Sequence, residues 1–308
     1  FSASRWISFN ISFNWTVIFY LMIHVVGDII IDEYWLGEVK RLSPEAPVPI
    51  VDLKTKKFSL GGAGNVYMNI LSATKDVNLH GYKDQIHNYI FEEIKPQGRL
   101  LFTDHMPHKI RVMSDQWLMS RIDSEIPIEN NEIEDEFEIE NEYDVVVLSD
   151  YNKGTVKDPQ KIISKAKKVI VDPKKNLELY KGAWCLKPNR LEFEEYIGEE
   201  LNAKKILVHA RRVRDELDVE HFLVTLGSEG VIYVGDTIEH YPATTQKVFD
   251  VTGAGDTFTA TLAICASLDM PMYKSIIVSN AMAGHAVKTN GTYSLNYNVL
   301  DEEMKKVR

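Results

Sequence analysis

Two cysteines, Cys185 and Cys265, lie far apart in a chain of 308 residues and form no Cys-x-x-Cys pair. Their scarcity excludes a disulfide framework and a cysteine zinc site, and a cytoplasmic, reducing compartment is expected. Positive charge is also short: 35 Lys and Arg stand against 45 Asp and Glu, for a formal net charge of −10. A nucleic-acid binder needs a basic surface, so no nucleic-acid partner is expected, and an anionic ligand would need a local basic pocket. The apolar run WTVIFYLMIHVV stops at Gly27 and Asp28, short of the roughly 20 apolar residues that cross a bilayer, so no membrane partner is expected. A lone Arg5 with no small-residue cleavage site argues against a signal peptide. Residues 1–21 read as an upstream extension that the fold does not require, with one domain over residues 22–308.

The familiar phosphate loops are absent as well. No Gly-x-x-x-x-Gly-Lys-Ser/Thr occurs, and Gly-x-Gly-x-x-Gly is half matched at Gly62 and at Gly253, where Tyr67 and Phe258 hold the third glycine position. The His-Arg-Asp and Asp-Phe-Gly pair of protein kinases is missing too.

What the sequence does contain is alternation. IHVVGDIII, YDVVVLSDY, KVIVDP, WCLKPN and HFLVTLG are apolar runs that end in polar or turn residues, as buried parallel strands do. Helix-like segments lie between them at 158–168, 190–197 and 201–217. The pattern predicts an α/β fold with a mainly parallel central sheet and helices on both faces. Ligands then gather at the carboxyl ends of the strands, where Asp150, Lys153, Asp172, Asn189 and Thr225 fall. The acidic stretch EIPIENNEIEDEFEIENEY reads as a solvated amphipathic helix. Residues 33–58, with their prolines, and residues 99–123 read as strands and turns of a small β-sheet lid over the site.

DVTGAGDTF, at residues 250–258, sets a carboxylate behind a glycine turn that opens a helix. Helix N-termini attract anions, so an acid there needs a reason. Two are open. Asp256 can cap the helix, or it can take a proton from a hydroxyl while the amides of Gly253, Ala254 and Gly255 hold a phosphoryl group in transfer.

DVTGAGDTF together with GGAGN at residues 61–65 and an upstream GDIIID resembles the ribokinase, or PfkB-type, family of sugar kinases. Within that family GDIIIDEYWLGEVKRLSPEAPVPIVDL, LSDYNKGTV, VDPKKN and LKPNRLEFEEYIG are similar to the heptose-7-phosphate kinase branch. The resemblance implies a ribokinase-like fold and an ATP-dependent kinase acting on the anomeric hydroxyl of a heptose 7-phosphate. It implies Asp256 as the base, Asp32, Gly61, Gly62 and Asn65 on sugar hydroxyls, and Asn189 and Glu192 around magnesium and phosphate, Glu192 through water. Glu192 would alternatively serve as a partner of its own helix dipole. Thr225, Gly227 and Gly230 would lie near the nucleotide phosphates and ribose, with Lys174 also on the nucleotide, and Asn280 near the adenine. Asp250 and Thr252 are candidates for a monovalent cation such as K+. Asp28 is read as a turn residue outside the site.

A second dianion on the substrate calls for local cations. Candidates are Arg41, Lys109, Arg111 and Arg121 from the lid, with Lys153 and Lys174 from strand ends, Lys153 and Arg111 foremost on the sugar phosphate. Tyr67, Lys75 and Asp115 depart from the family pattern. No His-x-Gly-His nucleotidyltransferase signature occurs, so a kinase acting alone is expected, as a homodimer joined through the lid. A kinase for another sugar or nucleoside, and a non-catalytic nucleotide-sugar sensor of the same fold, are the alternatives.

Overall fold

The structure is a computed structural model that describes residues 21–129, 133–174, 176–245, 251–288 and 294–307. The proposed extension at 1–21 lies, except for Leu21, outside these residues. The chain runs through β1 (Ile23–Gly27), β2 (Ile29–Leu42), β3 (Pro49–Gly62), α1 (Ala63–Ala73), β4 (Val77–Lys83), α2 (Asn88–Ile94), β5 (Leu100–Phe102), β6 (His108–Ser114) and β7 (Trp117–Ser124). It continues through α3 (Ile133–Glu136), β8 (Val145–Ser149), α4 (Pro159–Ile163), β9 (Lys168–Asp172), β10 (Cys185–Leu186), α5 (Arg190–Ile197) and α6 (Ala203–Glu216). The last elements are β11 (His221–Thr225), β12 (Val231–Val234), β13 (Ile238–Tyr241), α7 (Ala254–Ser267), α8 (Met272–Ala286) and α9 (Tyr297–Lys306).

A nine-stranded sheet takes the order β13-β12-β11-β10-β9-β8-β1-β4-β5. It is parallel except where β12 pairs with β11 and β13. Alternate side chains along each strand feed two cores, as the two-residue pleat requires. Val25, Val147, Ile170 and Leu223 pack with Ile70 of α1, Phe258 and Leu262 of α7, Met282 of α8 and Leu300 of α9. Val26, Val146, Leu148, Val171 and Phe222 pack on the other face with Ile162 of α4, Phe193 of α5 and Ile206 and Val213 of α6. A second sheet of four strands, ordered β3-β2-β6-β7, forms the expected lid.

Four details differ from the sequence reading. IHVVGDIII is two strands, not one: β1 belongs to the large sheet and β2 to the lid, with the chain changing sheets at Asp28. Every residue from Ile23 to Glu33 is buried, so the apolar pattern runs on across the break and hides it. The second lid segment begins at His108, because β5 extends the large sheet beside β4. The acidic stretch is no amphipathic helix among the described residues: α3 covers only Ile133–Glu136, and Ile133, Glu134 and Phe137 are buried. Glu134 accepts the N–H groups of Lys157 and Asp158 at 2.8 and 2.6 Å, which fastens the segment onto the core instead of leaving a charged face in water. Finally, the helix expected at 158–168 is the short α4, capped by the Asp158 carboxylate.

Candidate active site

β1 lies between β8 and β4, so chain connections leave it in both directions, and a crevice forms at the carboxyl ends of the strands there. Asp28 occupies that point. Its carboxylate accepts the N–H groups of Tyr151, Lys153 and Thr155 at 2.8, 3.0 and 3.0 Å, and its carbonyl accepts Ala63 N–H at 2.9 Å. One buried acid thus fixes the loop after β8 and the glycine turn before α1. It was expected as a turn residue, and it is one with a structural charge.

The N-terminus of α7 closes the crevice. Gly253, its N-cap, has φ +76°, a left-handed conformation suited to glycine, and a Cβ there would stand 2.8 Å from Asn65 Nδ2. The N–H groups of the first turn have no partner inside the helix, although Ala254 N–H makes a long 3.3 Å turn bond to Val251. Asp256 is buried in the first turn of the helix and is not its N-cap residue, which is Gly253. Both of its oxygens take other donors: Tyr151 Oη reaches Oδ1 at 2.7 Å and Asn65 Nδ2 reaches Oδ2 at 2.7 Å. Burial pushes the Asp256 carboxyl above the usual range, the Asn65 hydrogen bond opposes this, and Asp172 adds to it. A raised carboxyl beside open helix amides can accept a proton next to an anion site. Burial, and then the charge of Asp256, raise Tyr151 well above an ordinary phenol, so it stays a donor.

Beside Asp256 a buried ion pair joins Lys187 Nζ to Asp172 Oδ2 at 3.0 Å, and Thr259 of α7 donates to the same oxygen at 3.1 Å. Lys174 pairs with Glu192, and its ammonium lies 5.3 Å from the Tyr151 ring centre. Asn189 and Glu192 form a capping box at the start of α5, which puts the Glu192 carboxylate at the positive end of that helix dipole. Burial and Asp172 push the Glu192 carboxyl upward. Asn189 is bridged to Thr225, and Gly227 and Gly230 follow in the turn after β11 with φ +59° and +95°.

The face of the lid that carries Asp32 is charged. Asp32 is buried and bonded to Arg111 Nη1 at 2.5 Å, and a Cβ on Gly61 would collide with its carboxylate. Gly62 follows as the N-cap of α1. Arg121 chelates Asp123 at 2.7 and 2.6 Å. Glu125 bridges Lys109 of the lid and Lys153 of the loop after β8 at 3.3 and 2.7 Å. Arg111, Lys109, Lys153 and Arg121 therefore gather around Asp32, each held by an acid.

The structure does not bring every expected residue here. Asn280 of α8 donates to Pro242 O at 2.7 Å and serves the loop after β13. Asp250 lies outside the described residues, and Thr252 sits in the turn before α7. Arg41 is exposed near the hairpin tip. Asn65, expected on the sugar, bonds to Asp256. Tyr151, Lys187 and Asn69 were not assigned to the site in advance, and Asp172 was placed at a strand end without a role. Lys187, a lysine inside the apolar stretch WCLKPN, carried the clearest signal, since a buried lysine needs an acid partner.

Among the described residues no group of three or more His, Cys, Asp or Glu could hold a metal ion directly. Magnesium keeps most of its water and needs only one or two carboxylates beside substrate phosphates, and Glu192 with Asp172 suits that mode.

A mainly parallel α/β sheet with a buried carboxylate in the first turn of a helix and a second, smaller β-sheet is the architecture of the ribokinase-like fold. Solved structures agree on the fold. Phosphofructokinase-2 from Escherichia coli in complex with potassium superposes with a TM-score of 0.77 at 15% identity, covering 93% of this chain and 99% of that one. Ribokinase from Arabidopsis thaliana complexed with ribose and ATP gives 0.69 at 18% identity, covering 93% and 99%. The pfkB family carbohydrate kinase profile matches residues 123–298. The chain belongs to that family and is a phosphotransferase acting on a sugar hydroxyl. It is 36% identical over 291 residues to the bifunctional protein HldE of Psychromonas ingrahamii, covering 88% of this chain and 61% of the relative. HldE of Campylobacter fetus is 33% identical over 302 residues, covering 92% and 66%. The chain thus spans less than two thirds of the length of these relatives.

Proposed function

We propose that this protein transfers the γ-phosphoryl group of ATP to the anomeric hydroxyl of a heptose 7-phosphate and yields the 1,7-bisphosphate, a precursor step toward ADP-heptose and the lipopolysaccharide core. The observation that carries the reading is Asp256, a buried carboxylate with raised proton affinity at the N-terminus of α7. The resemblance of RLSPEAPVP and LSDYNKGTV to the heptose branch supports the sugar. Lys109, Arg111, Arg121 and Lys153 around Asp32 support a phosphate on it, which would take over cations that acids now hold.

Asp32 and the turn at Gly61 and Gly62 hold the sugar hydroxyls. Asp256 accepts the proton of the anomeric hydroxyl as its oxygen bonds to the γ-phosphorus and the bond to the bridging oxygen of ADP breaks. The amides of Gly253, Ala254 and Gly255 and the helix dipole meet the negative charge on the phosphoryl oxygens. Asn189, Thr225, Gly227, Gly230 and Lys174 line the nucleotide's side. Glu192 would hold a magnesium ion through water, and the ion would neutralise charge on the phosphates. A monovalent cation would use Thr252 and Asp250. The lid, with exposed Phe58, Trp117, Leu118 and Ile122, joins two copies as a homodimer and keeps water from the transfer. The protein acts in the cytoplasm, and no helix among the described residues is long and apolar enough to cross a membrane.

ATP consumption over a panel of sugars and sugar phosphates tests the substrate. Phosphorylated heptose is expected to turn over far faster than free heptose or ribose, because its dianion adds charge-assisted hydrogen bonds. Equal turnover of ribose would favour a kinase for another sugar, and no turnover with intact ATP binding would favour the sensor. A chain starting at Met22 is expected to fold and keep its activity.

A further inference from the structure

Asn69 lies on α1 one turn beyond Asn65, is fully buried, and reaches Asp256 only through Asn65. Its side chain joins a line of hydrogen bonds that begins at a backbone group. Leu295 N–H donates to Asn69 Oδ1 at 3.0 Å. Asn69 Nδ2 then donates to Asn65 Oδ1 at 3.1 Å and to the Asn65 carbonyl at 2.9 Å. Asn65 Nδ2 donates in turn to Asp256 Oδ2 at 2.7 Å. Ser72 Oγ secures the start of the line by donating to Leu295 O at 2.7 Å.

A backbone N–H can only donate. It therefore fixes the oxygen of Asn69, the nitrogen of Asn69 fixes the oxygen of Asn65, and one arrangement of both amides satisfies the line. With Asn65 turned over, its carbonyl would face a carboxylate and its NH2 would face another NH2. We infer that Asn69 is a positioning residue: it sets the polarity of the Asn65 amide, so that a donor and not an acceptor faces Asp256. This rests on the reading of Asp256 as the base. The other charged or titratable groups around Asp256 are Tyr151 from the loop after β8, Asp172 from the end of β9, Lys174 just beyond it, and Lys187 after β10.

Asn69→Asp keeps the shape and the bond from Leu295 but offers an acceptor to Asn65, and so turns the Asn65 carbonyl toward Asp256. Asn69→Ala removes the contact and leaves Asn65 free to adopt either orientation. If polarity is what matters, Asn69→Asp lowers kcat at neutral pH more than Asn69→Ala does, by about tenfold or more relative to wild type, the scale of one lost hydrogen bond to a charged group. The ascending limb of its pH–rate profile moves to higher pH, and Asn69→Asp has little further effect on kcat in an Asn65→Ala background. A role in packing alone predicts the reverse order, since the truncation leaves the larger void. Reverse order, or an undiminished effect without Asn65, overturns the inference. If the Asn69→Asp variant does not fold, nitrogen-15 resonances of the Asn65 side-chain amide in the wild-type protein decide: they move with the titration of Asp256 if its NH2 faces the carboxylate, and stay still if it does not. Full activity of Asp256→Asn would sink the base reading instead, and that result is separate from either of these.

Discussion

Tyr151 Oη donates to Asp256 Oδ1 across 2.7 Å, and the backbone N–H of the same tyrosine is anchored to Asp28 at 2.8 Å. A residue of the loop after β8 is thereby fixed between the switch point of the sheet and the N-terminus of α7. Tyr151→Phe removes the hydroxyl with little change in shape. Turnover is expected to fall about tenfold to a hundredfold, the scale of a hydrogen bond to a charged group. The lost donor also raises the Asp256 pKa, so the ascending limb of kcat/KM shifts to higher pH. An unchanged profile would show that the hydroxyl does nothing for the carboxylate.

Asp256→Asn keeps the volume and removes the ability to take a proton. Turnover is expected to drop by about 10² to 10⁴, while ATP affinity holds or tightens because a negative charge near the γ-phosphate is gone. Stability follows a sign that burial sets. The folded pKa is raised, so the contribution of this carboxyl is complete below its unfolded pKa and lost as pH rises through the folded value. Ionised Asp256 costs stability at neutral pH, and the Asn variant is expected to melt at the same temperature as wild type or higher. A Tm clearly below wild type would argue that the acid is structural.

Asp28 presents the opposite case. Asp28→Ala leaves three backbone donors without their acceptor, a buried one at Thr155 and part-buried ones at Tyr151 and Lys153. At about 1 to 3 kcal/mol for each, a loss of about 3 kcal/mol or more is expected in urea titrations. Turnover should fall as well, since Tyr151 loses its anchor. Near-normal stability would mean that water replaces the carboxylate.

A buried histidine pair is expected to weaken the fold in acid. Arg99 N–H donates to His80 Nδ1 at 3.2 Å, so His80 Nε2 carries the proton shared with His24 Nδ1 at 3.1 Å, and His24 Nε2 faces Asp144 at 3.5 Å. Burial, followed by the charge of His24, lowers His80 to about 3. The folded value is depressed, so its contribution is present above the unfolded pKa near 6.5 and is lost progressively as pH falls toward about 3. Urea midpoints are expected to decline over that window, and His80→Gln, which does not titrate, should flatten the decline. An identical slope in the variant would assign acid sensitivity to other groups.

Much of this molecule was legible in its residues. Apolar runs closed by polar residues marked the parallel strands, because burial on both faces demands near-continuous Val, Ile and Leu. DVTGAGDTF marked the N-terminus of α7, because a left-handed cap at Gly253 needs glycine. Asn189 and Glu192 were read as a pair around magnesium and phosphate or, for Glu192, as a helix-dipole partner, and the structure shows them as a capping box at the start of α5. Local chemistry of that kind is written in consecutive residues. The sequence could not disclose the change of sheets at Asp28, since buried strands of either sheet carry the same pattern. Nor could it show that IEDEF is fastened to the core through Glu134, because partners 23 and 24 residues away supply the amides.

The surroundings of Asp256 belong wholly to the tertiary structure. Tyr151 is 105 residues from it and Asn65 is 191 residues from it, while the orientation of Asn65 goes back to Leu295, 226 residues from Asn69. The sequence determined that a carboxylate stands at a helix N-terminus. Whether that carboxylate caps the helix or takes two donors from distant parts of the chain was decided by packing α1, α7 and the loop after β8 together, because a hydrogen bond depends on distance in space and no spacing along the chain encodes it.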